Sequence, residues 1–352
     1  MAGTSRAGCT QMTDQSTASP GPMHSVPAGT ALLDVQDVST RFRVGHALRG
    51  RDRAVLTAVD QVSLQIAAGE TVGLVGESGC GKSTLARTIL QLERPSSGRI
   101  LFEGRDLLNL HGRSLRKARR QIQVVFQNPR AALDPRMTAA EIVGEGLVVQ
   151  GGHSRSQRRH EVEQMLKAVG LRPEHSDRYP HQFSGGQQQR LGIARALAVR
   201  PKLVIADEPV SALDVSVQAQ VLNLLSDLQE EYGLTYLFIS HDLSVVRHIS
   251  NRVGVMYLGR IVELAPTEEL YRDPRMPYTQ ALLSAIPQLR KDDQRERIVL
   301  QGDPPNPMNV PSGCPFRTRC WRADDLCAER VPELRIVAPG HWAACHYAGG
   351  ES

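Results

Sequence analysis

The stretch Gly76-Glu77-Ser78-Gly79-Cys80-Gly81-Lys82-Ser83-Thr84 decides the fold. It follows the compact apolar run 71–75, which reads as a buried strand. It precedes Leu85, Ile89 and Leu92 at helical spacing, with Pro95 and Gly98 as stop signals. The stretch fits G-x-x-x-x-G-K-[ST], and it lies between a strand and a helix as that pattern requires. Its glycines let backbone N–H groups turn inward without Cβ clashes, and the helix N-terminus adds positive potential for phosphates. Lys82 has the reach for β- and γ-phosphate oxygens, and Ser83 has the hydroxyl to meet Mg²⁺. Cys80 reads as a small loop residue rather than a reactive thiol.

Working outward, residues 203–206 form a second apolar strand that ends in Asp207 and Glu208. Asp207 is placed to meet Mg²⁺ beside the phosphate loop. Glu208 points elsewhere and offers a carboxylate to polarise an attacking water. Val217, Val221, Leu224, Leu225 and Leu228 mark one face of an amphipathic helix. Residues 236–239 are a third apolar strand, ending at Ser240 and His241. Strands alternating with helices predict a mostly parallel sheet between helices, a P-loop NTPase core of α/β class.

Other segments add to this core. Residues 32–66 read as an antiparallel β subdomain with a basic loop at Arg49, Arg51 and Arg53, and 99–102 and 122–126 read as further strands. Residues 133 to about 200 are helical in pattern, interrupted at 178–186. Beyond 265 a run of prolines, Pro274 to Pro311, excludes long helices. The predicted division is a polar leader (1–30), a nucleotide-binding domain (31–265, with a helical subdomain about 128–200) and a Cys-containing C-terminal extension (266–352).

Composition narrows the function classes. The chain has 352 residues, 41% of them hydrophobic and 22% charged, which excludes a mainly disordered protein. No apolar run approaches the roughly 18 residues that cross a bilayer. The leader lacks the apolar block of a secretory signal, so export is not expected. A net charge of +5 is too slight to argue for a nucleic-acid partner. The densest basic stretch, Arg113 to Arg120, reads as a solvated helix face. Six cysteines are unevenly placed, and without a secretion signal a disulfide framework is disfavoured. Four fall in Cys314-x5-Cys320-x6-Cys327-x17-Cys345. This is neither the paired zinc-finger spacing nor the tight ferredoxin run, yet four thiolates suit zinc or an iron–sulfur cluster.

Phe183-Ser184-Gly185-Gly186-Gln187 resembles the signature segment of ATP-binding-cassette ATPases, with Phe183 where Leu is commoner. Gln127, in Val-Phe-Gln-Asn-Pro, resembles the Q-loop; Ser211-Ala212-Leu213-Asp214 resembles the D-loop; and His241 resembles the switch histidine. The resemblance narrows to ATPase subunits of bacterial dipeptide and oligopeptide importers. It is carried by Leu133-Asp-Pro-Arg136, Arg178-Tyr-Pro-His181, Met256-Tyr-Leu-Gly259, Pro277-Tyr-Thr-Gln-Ala-Leu-Leu283 and the cysteine tail.

The resemblance implies ATP and Mg²⁺ as ligands, held by Gly76, Ser78, Gly79, Cys80, Gly81, Lys82, Ser83 and Thr84, with Ser83, Gln127 and Asp207 toward the Mg²⁺. Glu208 would polarise water, His241 would contact the γ-phosphate, and Gln127 would sense it. Phe42 would stack on adenine. Ser184, Gly185, Gly186, Gln187 and Asp214 would act across a head-to-tail dimer with a second ATPase subunit, a paralogue by resemblance. The wider assembly would hold two transmembrane permease subunits at the cytoplasmic face of the membrane and, indirectly, an extracytoplasmic peptide-binding protein. A similar cysteine tail in that family implies a [4Fe–4S] cluster at Cys314, Cys320, Cys327 and Cys345, with zinc or unligated thiols as the other readings. Nickel or another small solute in place of peptide is a further reading. Soluble cassette ATPases of other functions usually carry two cassettes or a long insertion, and this chain has neither.

Overall fold

A computed structural model describes residues 31–44, 54–286 and 297–349. The polar leader, with Cys9, and the basic loop at Arg49, Arg51 and Arg53 lie outside the described residues.

Two sheets make up the frame. The larger has the order β11-β12-β10-β9-β3-β8-β7-β6. Its strands are β3 (Thr71–Val75), β6 (Ile122–Val125), β7 (Leu203–Asp207), β8 (Thr235–Ile239), β9 (Arg252–Tyr257), β10 (Arg260–Pro266), β11 (Arg335–Ala338) and β12 (His341–Ala343). From β9 to β6 neighbouring strands run parallel, and β10, β12 and β11 then continue antiparallel. The smaller sheet has the order β2-β1-β4-β5, all antiparallel. It comprises β1 (Ala31–Val44), β2 (Ala54–Ala67), β4 (Ser97–Phe102) and β5 (Arg105–Asp106).

Period-2 alternation puts the large sheet between two cores. Val72, Leu74, Leu203, Ile205, Leu237 and Ile239 face α1 (Lys82–Ile89) and the antiparallel sheet. Val204, Ala206, Tyr236, Phe238, Val253 and Val255 face the opposite way, into a core shared with the remaining long helices. With both faces covered, the central strands read as unbroken apolar runs rather than alternating ones. That is why three of them were visible in the sequence.

The basic stretch becomes α2 (Gly112–Gln121), a helix with no buried residue. After β6 come α3 (Pro129–Ala132), α4 (Ala139–Gln150), α5 (Arg155–Ala168) and α6 (Gly185–Leu197). The last three each start with a reciprocal capping box: Thr138 with Glu141, Ser154 with Gln157, and Ser184 with Gln187. Ile142, Val143, Leu147, Val162, Met165, Leu166 and Leu191 form the interior of this helical part. The amphipathic helix read from Val217 to Leu228 is α7 (Val215–Tyr232), and α8 (Leu243–Ile249) follows β8.

The proline-rich segment is short in helix, as expected: α9 (Thr267–Arg272), α10 (Pro277–Ser284) and α11 (Asp325–Glu329). It is not a loose tail, however, because β12 pairs with β10 and prolongs the main sheet. Glu263 on β10 is fully buried and accepts hydrogen bonds from the Arg275 N–H (2.6 Å) and the Met276 N–H (3.1 Å). His341 Nε2 lies 2.7 Å from the same carboxylate. One side chain thus ties the sheet, the lead-in to α10 and the terminal hairpin together.

Glu263→Ala strands the buried Met276 N–H, the partly buried Arg275 N–H and His341. It should lower unfolding stability by about 3 kcal/mol and open the hairpin to protease, while Glu263→Gln, which keeps an acceptor, should cost less. Denaturant titration with limited proteolysis checks this.

Candidate functional site

The strand order sets the site. In open parallel sheets ligands bind beyond the carboxyl ends of the strands. Here β3 leads to the loop 76–81, β8 to His241, β7 to Asp207 and Glu208, and β6 to Gln127.

The loop 76–81 turns tightly before α1. Gly76 has φ of 153°, and a Cβ there would lie 2.2 Å from the Met256 carbonyl oxygen. Ser78 and Gly79 are exposed, whereas Lys82 is buried and Ser83 and Thr84 half-buried on the first turn of α1. Lys82 Nζ donates to the carbonyls of Gly76 (2.7 Å) and Glu77 (3.0 Å), so its ammonium sits inside the curl of the loop. Cys80 is packed into the core, and burial pushes its thiol above the usual range. An inert packing role follows, as the sequence suggested.

Ser83 Oγ donates to Asp207 Oδ1 at 3.0 Å. This pairs a hydroxyl and a carboxylate from α1 and β7, a hard-oxygen donor set of the kind Mg²⁺ takes. Burial raises the Asp207 carboxyl pKa, with the Ser83 hydrogen bond opposing. A cation placed there would relieve that cost.

Glu208 collects the rest. Its side chain is mostly buried; it accepts from Gln127 Nε2 at 2.7 Å, and His241 Nδ1 lies 3.2 Å from its other oxygen. Its N–H donates to the Ile239 carbonyl at 2.9 Å. Its φ is 49°, a left-handed conformation that costs a non-glycine residue roughly 1 kcal/mol or more. The turn after β7 thereby points two adjacent carboxylates at different targets, Ser83 on one side and Gln127 with His241 on the other.

Other predicted positions lie apart. Phe42 is half-buried near the end of β1, opposite Leu56, and belongs to neither core. Ser184 caps α6, its hydroxyl accepting from the Gln187 N–H, and Gly185 and Gly186 form the helix's first turn. Phe183 anchors that start in the core. Asp214 is exposed, and its backbone carbonyl begins α7. Among the described residues no hydrogen bond or ion pair joins these five, Ser184 to Gln187 and Asp214, to the loop 76–84 of the same chain. The signature segment presents its helix start elsewhere.

Cys314, Cys320, Cys327 and Cys345 line one small apolar cavity with Phe316 and Tyr347. None is in a disulfide. Burial raises all four thiols, Cys314 to about 11. The donors are right in kind for a soft metal or cluster. Among the described residues, however, no three His, Cys, Asp or Glu side chains come close enough to hold a metal ion. The structure therefore gives the expected cluster a common cavity but no formed ligand set.

Sequence reading missed one group at the loop. The Glu77 N–H donates to the Tyr278 hydroxyl at 2.9 Å, and the Glu77 carboxylate pairs with Arg319. No spacing rule links residues 242 positions apart.

A glycine-lined phosphate loop, a serine–aspartate pair at its base and a carboxylate gathered with glutamine and histidine define a nucleotide-hydrolysing cassette. Comparison with known proteins agrees. Residues 59–211 match the ABC transporter family, and 262–327 match the C-terminal region of oligopeptide/dipeptide transporters. The oligopeptide transport ATP-binding protein AppF of Bacillus subtilis (strain 168) is 54% identical over 318 residues, 90% of this chain and 97% of that protein. The di/tripeptide transport ATP-binding protein DppF of Pseudomonas aeruginosa (strain UCBPP-PA14) is 47% identical, covering 90% of this chain and 98% of its own length. Among solved structures, the cassette MJ0796 bound to ADP and Pi is 33% identical, with a TM-score of 0.59, over 67% of this chain and 98% of that one. The chain belongs to the ABC transporter ATPases, within their oligopeptide/dipeptide group.

Gly76→Ala should abolish nucleotide binding, because the Cβ has no room beside Met256. Gly79→Ala, where a φ of 78° disfavours a side chain but a Cβ would meet nothing within 4 Å, should weaken binding less. Equilibrium titration with a fluorescent ATP analogue separates the two.

Proposed function

We propose that the chain is the ATP-hydrolysing subunit of a multi-subunit importer and energises uptake of dipeptides or oligopeptides through a membrane permease. The observation that carries the hydrolytic part is the Glu208 carboxylate, held by Gln127 and His241 beside the phosphate loop. The importer assignment rests on the kinship with the peptide-transport proteins of Bacillus and Pseudomonas.

The roles follow from position. Lys82 and the N–H groups of the loop bind the phosphates, and the start of α1 adds its dipole. Ser83, Asp207 and Gln127 would hold Mg²⁺, which would supply neutralisation of charge on the transferring phosphoryl group. Glu208 orients water and takes its proton, His241 contacts the γ-phosphate, and Gln127 bridges the site to the helical part that follows it. Phe42, at the rim of the small sheet, stacks on the adenine.

The start of α6 gives the dimer its physical reason. Ser184, Gly185, Gly186 and Gln187 expose a capped helix N-terminus, a favourable place for a γ-phosphate held by another ATPase subunit. Asp214 lies in the loop that would meet that neighbour. We take the neighbour to be a paralogous cassette and the remaining partners to be two permease subunits, with an extracytoplasmic peptide-binding protein acting through them. Among the described residues no helix is long and apolar enough to cross a membrane. The permeases would therefore hold this chain at the cytoplasmic membrane face.

For the cysteine cavity we propose the [4Fe–4S] cluster over zinc, supported by four thiols on one apolar pocket. The purified chain should carry iron and sulfide with a broad visible absorption, lost in Cys320→Ser. Colourless protein with one zinc per chain would reverse the choice.

Lys82→Ala should lose ATP binding. Glu208→Gln should bind Mg-ATP with near-normal affinity yet turn over at least about a hundredfold more slowly, the scale of a lost general base. Phosphate-release assays on the assembled complex measure both, and normal turnover by Glu208→Gln would remove Glu208 from this role.

A further inference from the structure

The ATP site as described ends at the cassette, yet its entry turn is gripped from outside it. Glu77 is the second residue of the phosphate loop, and its carboxylate receives both arms of Arg319: Nη1 to Oε2 at 2.7 Å and Nη2 to Oε1 at 2.9 Å. The Arg319 side chain is only 6% exposed, so this two-pronged pair is largely withdrawn from water, where charge-assisted hydrogen bonds are strong and geometrically selective. The loop is held a second time by the Tyr278 hydroxyl, which accepts the Glu77 N–H at 2.9 Å.

The residues behind this grip are closely packed. Tyr278 on α10, Tyr257 on β9 and Phe316 form a three-ring cluster with centroids 4.6 to 5.4 Å apart, and all three rings are buried. Tyr257 also lies beside the Arg319 guanidinium. The Arg319 N–H donates to the Phe316 carbonyl at 3.0 Å, and the next residue, Cys320, lines the cysteine cavity. The C-terminal extension thus holds Glu77 by its carboxylate and its N–H, next to the Gly76 and Glu77 carbonyls that Lys82 uses.

We propose that Arg319 is a positioning residue for ATP binding, holding the phosphate loop in its binding shape through Glu77. The proposal rests on the nucleotide reading above. It assigns a job to the extension that the cassette alone does not reveal: the extension sets nucleotide affinity. Arg319 touches no reacting atom. Gln127, Glu208 and His241 are placed by other strand ends, so its loss should act on affinity and spare the chemical step.

The test uses the full chain in its complex. Wild type should bind Mg-ATP, and Lys82→Ala should not. Arg319→Gln should raise the Kd and the KM about tenfold, the scale of a lost charge-assisted hydrogen bond, with kcat within about twofold of wild type. The double variant Arg319→Gln with Glu77→Gln should be no tighter than Arg319→Gln, because the grip rather than the neutralised charge is what matters. Arg319→Lys keeps the charge without the fork and should weaken binding as well, which covers the case in which the glutamine variant fails to fold. An unchanged Kd in Arg319→Lys or Arg319→Gln overturns the proposal, as does full recovery in the double variant. A wild-type chain that binds no Mg-ATP would instead overturn the nucleotide reading, and the proposal with it.

Discussion

The placement of the Glu208 carboxylate depends on the register of four parallel strands. Leu74 on β3 and Asp207 on β7 both stand level with Ile239 on β8, and Ala206 stands level with Val125 on β6. The strands therefore end together, and the loop 76–81, His241, Glu208 and Gln127 emerge along one edge. A slip of one residue in any strand would turn its apolar side chains onto the wrong face, so the two cores lock the register. The cores and the edge that carries these residues are consequences of the same alignment.

That alignment also explains where strain is tolerated. The left-handed turn at Glu208 is paid back by the bond from its own N–H to Ile239 and by the partners of its carboxylate. The glycine at 76 serves a different need, the close approach of the loop to the Met256 carbonyl on β9. Both are local concessions on a frame whose central strands are buried on two sides. The C-terminal extension adds to the frame by strand pairing at β12 and by the buried Glu263 carboxylate.

Much of this was legible in the sequence, for physical reasons specific to each part. The phosphate loop is a local backbone device, so its residues stand in one run. Asp207, Glu208 and His241 could be read because each ends or closely follows a compact, largely apolar strand. Ser184 to Gln187 stood out through their resemblance to the signature segment, while their capping box came only with the structure. What escaped depends on long-range packing. Nothing in residues 252–257 announced a further parallel strand, nor in 260–266 and 335–343 an antiparallel extension of the sheet, since these pairings join segments far apart in the chain. The Glu77–Arg319 contact and the shared cavity of the four cysteines likewise join residues distant in sequence. Phe42, which the resemblance assigned to adenine stacking, lies opposite Leu56 near the end of β1 and belongs to neither core.

In the proposed mechanism one edge of the parallel sheet holds a triphosphate against Glu208. A cryo-electron-microscopy map of the assembled transporter, with Mg-ATP bound to a slow-hydrolysing form, tests it most directly. The account predicts γ-phosphate density between Lys82 and Ser83, with Glu208 facing its far side and a neighbouring ATPase's helix start closing over it. Nucleotide density seated away from the loop 76–84, with that loop unengaged, would contradict the account.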